Sequence, residues 1–142
     1  MRRTKGETVS ELNDRLEILE ERVQSLEDTL AIVELKHRYF RHLDSQNWDE
    51  LRLCFTDDVE TSYEDGHYRF EGVDEAMRFL SESLGALRTQ GRMGLHLGHH
   101  PEIERLSETE ARGRWTLHSA SFDTNRERIS RLQAFYEDEY LK

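Results

Sequence analysis

Four histidines in the second half of the chain are the first candidates for chemistry: His96, His99, His100 and His118. Imidazole is both a common metal ligand and a common acid or base. His99 and His100 are adjacent, so on a strand they point to opposite faces and cannot bind one ion together. No H-E-x-x-H pattern accompanies them, and Cys54 is the only cysteine. The residues therefore predict no metal site.

The composition of the chain excludes several classes of protein. Its 142 residues suit one domain, and 20 Lys and Arg against 30 Asp and Glu give a net charge of −10. An acidic surface argues against a nucleic-acid partner, because phosphates need a basic face. No apolar run approaches about 18 residues, which argues against a membrane span. The first residues lack the apolar stretch of a secretory signal, and the single cysteine fits a reducing, cytoplasmic setting.

Residues 1–33 carry a heptad repeat. Thr8 and Glu11 form an S/T-x-x-E capping box, which predicts that a helix starts there. Eight apolar residues follow at alternating spacings of three and four: Val9, Leu12, Leu16, Leu19, Val23, Leu26, Leu30 and Val33. They occupy the a and d positions of a coiled coil. The segment therefore predicts an N-terminal oligomerisation helix.

Charges flanking this apolar seam favour self-association. Arg15 and Arg22 fall at g and Glu20 and Glu27 at e, so each arginine would face a glutamate of a parallel partner. We expect a homo-oligomer, either a dimer or a trimer. The alternative is a long amphipathic helix that packs on its own domain, although the stripe is narrow for that.

Residues 34–142 predict an α+β domain. The first helix continues past Leu35, Tyr39, Phe40 and Leu43 and breaks at residues 45–47. A short helix, a hairpin with an Asp-Gly turn and a third helix follow, at 49–55, 59–70 and 72–87. Strands are predicted at 95–100, 102–106, 111–121 and 129–140. This order predicts helices packed on one face of a curved antiparallel sheet, with a pocket between them.

Six segments in this order resemble one family: LKHRYFRHLD, NWDEL, VETSY, MGLHLGHHPEI, SETEARGRW and AFYEDEY. They cover about residues 15–140 and are similar to the SnoaL-like branch of the nuclear transport factor 2-like superfamily. Bile-acid 7α-dehydratases are the nearest likeness, with scytalone dehydratases and lindane dehydrochlorinases more distant. The resemblance implies a cone-shaped sheet around an apolar pocket. The superfamily hosts many activities, so the substrate does not follow from it.

The resemblance also implies a site. It makes His96 the general base, Asp44 the carboxylate that orients it, and Tyr39 and Tyr63 hydrogen-bond donors, with no metal or organic cofactor. It places substrate-binding residues at Ser119, Trp115, Phe40 and His99. From the residues alone, other readings stay open. A lone strand histidine is usually exposed or structural, Asp44 is an ordinary helix-end turn residue, and Tyr39 on an apolar stripe is more often core.

Two departures from the family bear on the chemistry. The bile-acid enzymes carry a carboxylate where this chain has Ser119, and a serine cannot act as a charged acid or base. Relatives also continue past AFYEDEY with a further strand, whereas this chain stops at Lys142. We therefore expect the domain to lack the family's last strand, either because the chain is a fragment or because a partner subunit covers the exposed edge.

Two functions from different classes follow. The first is a cofactor-free lyase of the dehydratase type, or an isomerase, that acts on an apolar carbonyl compound through His96 and Asp44. The second is a non-catalytic protein of the same fold that binds a small molecule or organises an assembly.

Overall fold

The computed structural model describes residues 8–89 and 91–142, apart from the side chains at 86–89 and 92. The first seven residues of the predicted heptad segment lie outside that range. In chain order the elements are α1 Val9–Ser45, α2 Trp48–Arg52, β1 Glu60–Tyr63, β2 Tyr68–Glu71, α3 Val73–Thr89, β3 Arg92–Arg105, β4 Glu110–Asp123 and β5 Arg128–Leu141. The mixed α+β class with a long N-terminal helix is as predicted.

Helix α1 runs without a break for 37 residues, through the predicted heptads and into the domain. Thr8 is its N-cap: its hydroxyl accepts the backbone N–H of Glu11, and the Glu11 carboxylate accepts the backbone N–H of Thr8. Gln46 ends the helix in the left-handed conformation with φ 57°. The predicted capping box and the predicted break at 45–47 are both confirmed.

The two halves of α1 differ in what they contact. The C-terminal half packs on the domain and buries Lys36, Tyr39, Phe40 and Leu43. In the N-terminal half the apolar seam is exposed, from 49% for Leu12 to 75% for Val9. Because burial of apolar area is the main favourable term in folding, only the second half is stabilised by this domain.

The larger sheet has the strand order β3-β4-β5, and both pairings are antiparallel. Its register pairs His96 with Ser119 and Ser119 with Leu132, so these three side chains share one face. The sequence predicted two strands where the structure has β3 alone. A bulge between His99 and Glu102, with His100 at φ 51°, carries the strand past Pro101 without ending it.

A small hairpin and two helices cover the inner face of this sheet. β1 pairs antiparallel with β2, and α3 packs on both of these strands and on β3. The core is an apolar cluster that joins α1, α2, α3 and β4: Tyr39, Phe40, Leu43, Leu51, Leu80 and Leu117. This packing fixes the C-terminal end of α1 against the middle of β3.

Of the helices described over residues 8–89 and 91–142, none is long and apolar enough to cross a membrane.

Candidate active site

Asp44 and His96 are in direct contact, although 52 residues separate them in the chain. Asp44 Oδ1 lies 2.6 Å from His96 Nδ1, and Asp44 Oδ2 accepts the backbone N–H of His96 at 3.0 Å. Both side chains are mostly buried, with 20% and 15% of their surface exposed. A carboxylate only accepts hydrogen bonds, so Nδ1 carries the hydrogen and Nε2 of the neutral ring holds the lone pair.

The end of α1 and the middle of β3 bring these two groups together. Asp44 lies one residue after the buried Leu43, in the last turn of the helix, so its carboxylate reaches the strand. Two residues after His96, a Cβ at Gly98 would overlap the Phe40 ring. The glycine therefore allows α1 to approach β3 closely enough for the Asp44–His96 contact.

Ser119 and Phe40 lie beside this pair. Ser119 is the β4 partner of His96, is half-buried and faces the same side of the sheet. Phe40 is one helical turn before Asp44 and is almost fully buried. The structure thus brings four of the predicted site residues into one region: Asp44, His96, Ser119 and Phe40.

Tyr39 and Tyr63 belong to an aromatic cluster in the core. Tyr39 packs edge-on against Phe55 and Tyr136, and the hydroxyls of Tyr39 and Tyr136 are hydrogen-bonded to each other. Tyr63 packs against Phe79. Burial raises the pKa of Tyr39 well above its usual range and raises the pKa of Tyr63 as well. Both hydroxyls therefore keep their proton at neutral pH and serve as hydrogen-bond donors.

Trp115, a predicted substrate-binding residue, is 1% exposed and lies in the core. Its Nε1–H donates to the Tyr140 hydroxyl at 2.9 Å, and that hydroxyl donates to Asp138 Oδ2 at 2.8 Å. Lys36 Nζ donates to the same Asp138 oxygen at 2.7 Å. The Nε1–H of Trp115 is thus already hydrogen-bonded within a buried network.

His99 is not brought together with the other predicted residues. It lies three residues after His96, so it points to the outer face of the sheet, where its ring packs against His118. It cannot reach a ligand held at His96 within the same subunit.

Two residues of this region escaped prediction from the sequence. Tyr136 on β5 is hydrogen-bonded to Tyr39 and packs on Phe40. It also lies close enough to Asp44 that the carboxylate contributes to its raised pKa, after burial as the main cause. Lys36 is 5% exposed, with its ammonium 3.6 Å from the centre of the Tyr136 ring. Side chains alternate between the two faces of the sheet along β5, and this alternation could have predicted that Tyr136 faces the core. No local signal marks Lys36 as buried.

Among the residues that the structure describes, no three His, Cys, Asp or Glu side chains form a group that could hold a metal ion. The predicted absence of a metal and of an organic cofactor stays a prediction.

A comparison with protein families identifies the domain. A model of the SnoaL-like domain matches residues 24–142, which is most of the chain and includes every predicted site residue. The chain belongs to the SnoaL-like domain family. The match begins inside α1, so the first part of the seam precedes the family domain.

Solved structures of similar proteins support the same fold for this SnoaL-like domain. A protein from Novosphingobium aromaticivorans, described as a candidate scytalone dehydratase, is 28% identical with a TM-score of 0.75, over 84% of this chain and 76% of that one. A hexachlorocyclohexane dehydrochlorinase from Novosphingobium barchaimii is 18% identical with a TM-score of 0.71, over 84% and 80%. The predicted family and its fold are confirmed, whereas the narrower likeness to bile-acid 7α-dehydratases stays a prediction.

Proposed function

We propose that this SnoaL-like domain is a cofactor-free lyase of the dehydratase type, or an isomerase, that acts on an apolar carbonyl compound. The observation that carries the proposal is the two-point contact of Asp44 with His96, at the Nδ1 ring nitrogen and at the backbone N–H. The ring contact selects the tautomer, and the backbone contact fixes the carboxylate. Nε2 is then a positioned base, which is the requirement for removing a proton from carbon.

The reaction would begin with proton abstraction next to a carbonyl. His96 Nε2 takes the proton, and the C–H electron pair forms an enolate whose negative charge lies on oxygen. Asp44 stabilises the imidazolium that results. When the enolate collapses, the β-carbon loses its hydroxyl group, which takes the proton from His96 and leaves as water. In an isomerase the same proton returns to a different carbon.

The tyrosines would stabilise the enolate oxygen. The hydroxyls of Tyr39 and Tyr136 share one hydrogen bond, so the pair has one hydrogen left to donate to a ligand. We therefore assign the donor role to this pair of tyrosines. Tyr63 would donate from the hairpin side. Hydrogen-bond donors aimed at the developing charge commonly give the largest part of such catalysis.

Two lines of support lead to a lyase in particular. The similar structures include a protein described as a candidate scytalone dehydratase and a hexachlorocyclohexane dehydrochlorinase, and both names denote elimination. In addition, the Phe40 ring that lies beside the pair belongs to an apolar core cluster with Tyr39, Leu43, Leu51, Leu80 and Leu117. Apolar surroundings of this kind suit an apolar substrate with one carbonyl.

The test is turnover of a panel of β-hydroxyketones and hydroxysteroid-like ketones, followed by loss of the substrate and gain of the conjugated product. We expect His96→Gln to lower turnover by roughly 10²–10⁴-fold, the usual contribution of a general base. His99→Gln is the matched control, because His99 lies three residues away on the opposite face of β3. Equal turnover by the protein and its His96→Gln variant on every compound converted would sink the proposal.

One observation favours a second candidate, a non-catalytic binding protein. Ser119 stands opposite His96 where the family resemblance places a second carboxylate, so the region offers one positioned base and no ionised acid across from it. If no compound is turned over, but apolar ketones bind to the protein and do not bind to its Ser119→Phe variant, the binding function replaces the lyase.

A further inference from the structure

The exposed seam of α1 is an extended apolar feature of the described residues that the proposed function does not use. Seven of its side chains are between 49% and 75% exposed and follow one another along the helix: Val9, Leu12, Leu16, Leu19, Val23, Leu26 and Leu30. A continuous apolar stripe of this length is unusual on a free surface and marks an interaction site.

The seam points away from the domain of its own chain. α1 first touches the domain through Ser25, Asp28 and Ile32, which are half-buried. Each follows a seam residue by two positions, and two positions on an α-helix are about 200° apart. Asp28 is held by the Lys142 ammonium at 2.7 Å and faces the Arg105 guanidinium at 3.9 Å. The helix therefore cannot turn its seam inward without breaking these contacts, which argues against packing on its own domain.

The charges beside the seam fit a second copy of the same helix in parallel orientation. Arg22 at g would face Glu27 at e of the partner, and Arg15 would face Glu20 in the same way. All four side chains are exposed on α1. In an antiparallel pair, g faces g and e faces e, so arginine would meet arginine and glutamate would meet glutamate. The pattern is complementary in only one of the two orientations.

The seam residues also indicate the number of strands. Valine occupies two of the four a positions and leucine three of the four d positions, and β-branched residues at a with leucine at d favour two strands. We propose that residues 9–33 of α1 form a parallel, in-register, two-stranded coiled coil with a second copy of this chain. This assembly is independent of the proposed lyase activity.

The first test is the mass of the full chain by light scattering at tens of micromolar. We expect twice the chain mass for the protein and a single chain mass for the Leu19→Glu/Leu26→Glu variant. Ile18→Glu is the matched control: Ile18 is 50% exposed against 53% for Leu19, but it lies on the opposite side of the helix. We expect it to remain a dimer. Far-ultraviolet circular dichroism checks that the domain of each variant is folded.

The second test separates parallel from antiparallel pairing. With Cys54→Ser as the background, Leu16→Cys should form a disulfide between two chains on mild oxidation, because equivalent a positions meet only in the parallel register. Charge exchange gives an independent readout. Arg22→Glu and Glu27→Arg should each dissociate more readily than the unchanged protein, and a mixture of the two should restore the dimer.

Three outcomes would overturn the proposal. A monomeric native chain would show that the seam has no affinity for itself. A trimer would contradict two strands. A dimer that survives Leu19→Glu/Leu26→Glu would place the interface elsewhere, for example on the outer face of the sheet, where Leu97 and Phe135 are 44% and 74% exposed.

Discussion

The carboxylate of Asp44 holds His96 at two points, with one oxygen 2.6 Å from the Nδ1 ring nitrogen and the other accepting the backbone N–H at 3.0 Å. The first contact serves the ring, and the second anchors α1 to β3. One side chain therefore has a chemical and a structural role, and suitable substitutions can separate the two.

Asp44→Asn and Asp44→Ala should differ in stability but not in turnover. Asparagine keeps an oxygen for the backbone N–H of His96, whereas alanine leaves that half-buried donor without its partner, at about 1–3 kcal/mol. Both remove the charge that orients and stabilises the ring, so both should lower turnover by roughly 10²–10⁴-fold. Urea unfolding and steady-state kinetics measure the two effects. If Asp44→Asn keeps full turnover, the carboxylate has only a structural role.

Gly98→Ala should destabilise the domain by about 1–3 kcal/mol, because the added Cβ would overlap the Phe40 ring. Gly94→Ala is the control on the same strand and the same face, where the nearest atom to a Cβ is His96 Cε1 at an ordinary 3.6 Å. The measurement is the free energy of unfolding at one fixed protein concentration. Combining Phe40→Leu with Gly98→Ala should recover part of the lost stability. If the effects of the two substitutions on the free energy of unfolding simply add, the overlap is contradicted.

Asp138→Ala should be among the most damaging changes of a polar residue. It leaves the Lys36 ammonium, 5% exposed, without its carboxylate, and breaking a buried pair costs about 3–5 kcal/mol. Adding Lys36→Met should restore stability, since no charge is then stranded. Glu137→Ala is the control on the outer face, where the pair with Arg114 is exposed and worth about 0–1 kcal/mol. If Asp138→Ala and Glu137→Ala lower the free energy of unfolding equally, the charge of Lys36 is not buried.

Stability should fall at alkaline pH because of the buried tyrosines. Burial is the main cause that raises the pKa of Tyr39, Tyr63, Tyr136 and Tyr140 in the folded state. In the unfolded chain these groups ionise near pH 10, so the unfolded state loses protons first and stability declines above that pH. Urea unfolding between about pH 8 and about pH 11, the range around the unfolded pKa, measures the decline. Full retention of stability would show that these hydroxyls are solvated.

Lys36 has the opposite effect on the pH dependence of stability over the same pH range. Burial lowers its pKa, with Asp138 opposing the shift, so the unfolded state binds more protons between the lowered pKa and about 10.4. Its contribution to stability therefore rises with pH in that window. The Lys36→Met variant should lose stability more steeply on the alkaline side than the unchanged protein, which the same urea series tests.

Local features of the fold were predictable because their signals are local. The capping box at Thr8 and Glu11 and the helix end at 45–47 depend on neighbours in sequence. The division of β3 into two strands was wrong, because Pro101 and a polar stretch suggest a break that a bulge accommodates. Pairing across the sheet supplies the missing stabilisation, and that pairing is not local.

The candidate site was predictable only in part, and for a physical reason. Asp44 and His96 were paired through a family resemblance, since no local pattern joins residues 52 apart. Lys36 was missed because a charged residue on an apolar stripe is expected at the surface, and its partner Asp138 is 102 residues away. Simple alternation from His96, in contrast, already places His99 on the other face of β3.

The unbroken course of α1 links its two ends in a way that depends on the number of residues between them. The seam and Asp44 lie on one rigid rod, and each added residue turns one end about 100° against the other. A single insertion between Leu30 and Tyr39 would aim the seam in a new direction relative to the domain, and Asp28 would lose its contacts with Lys142 and Arg105. The relative orientation of anything bound to the seam therefore depends on the number of residues between the two ends, and a seven-residue insertion would nearly preserve it.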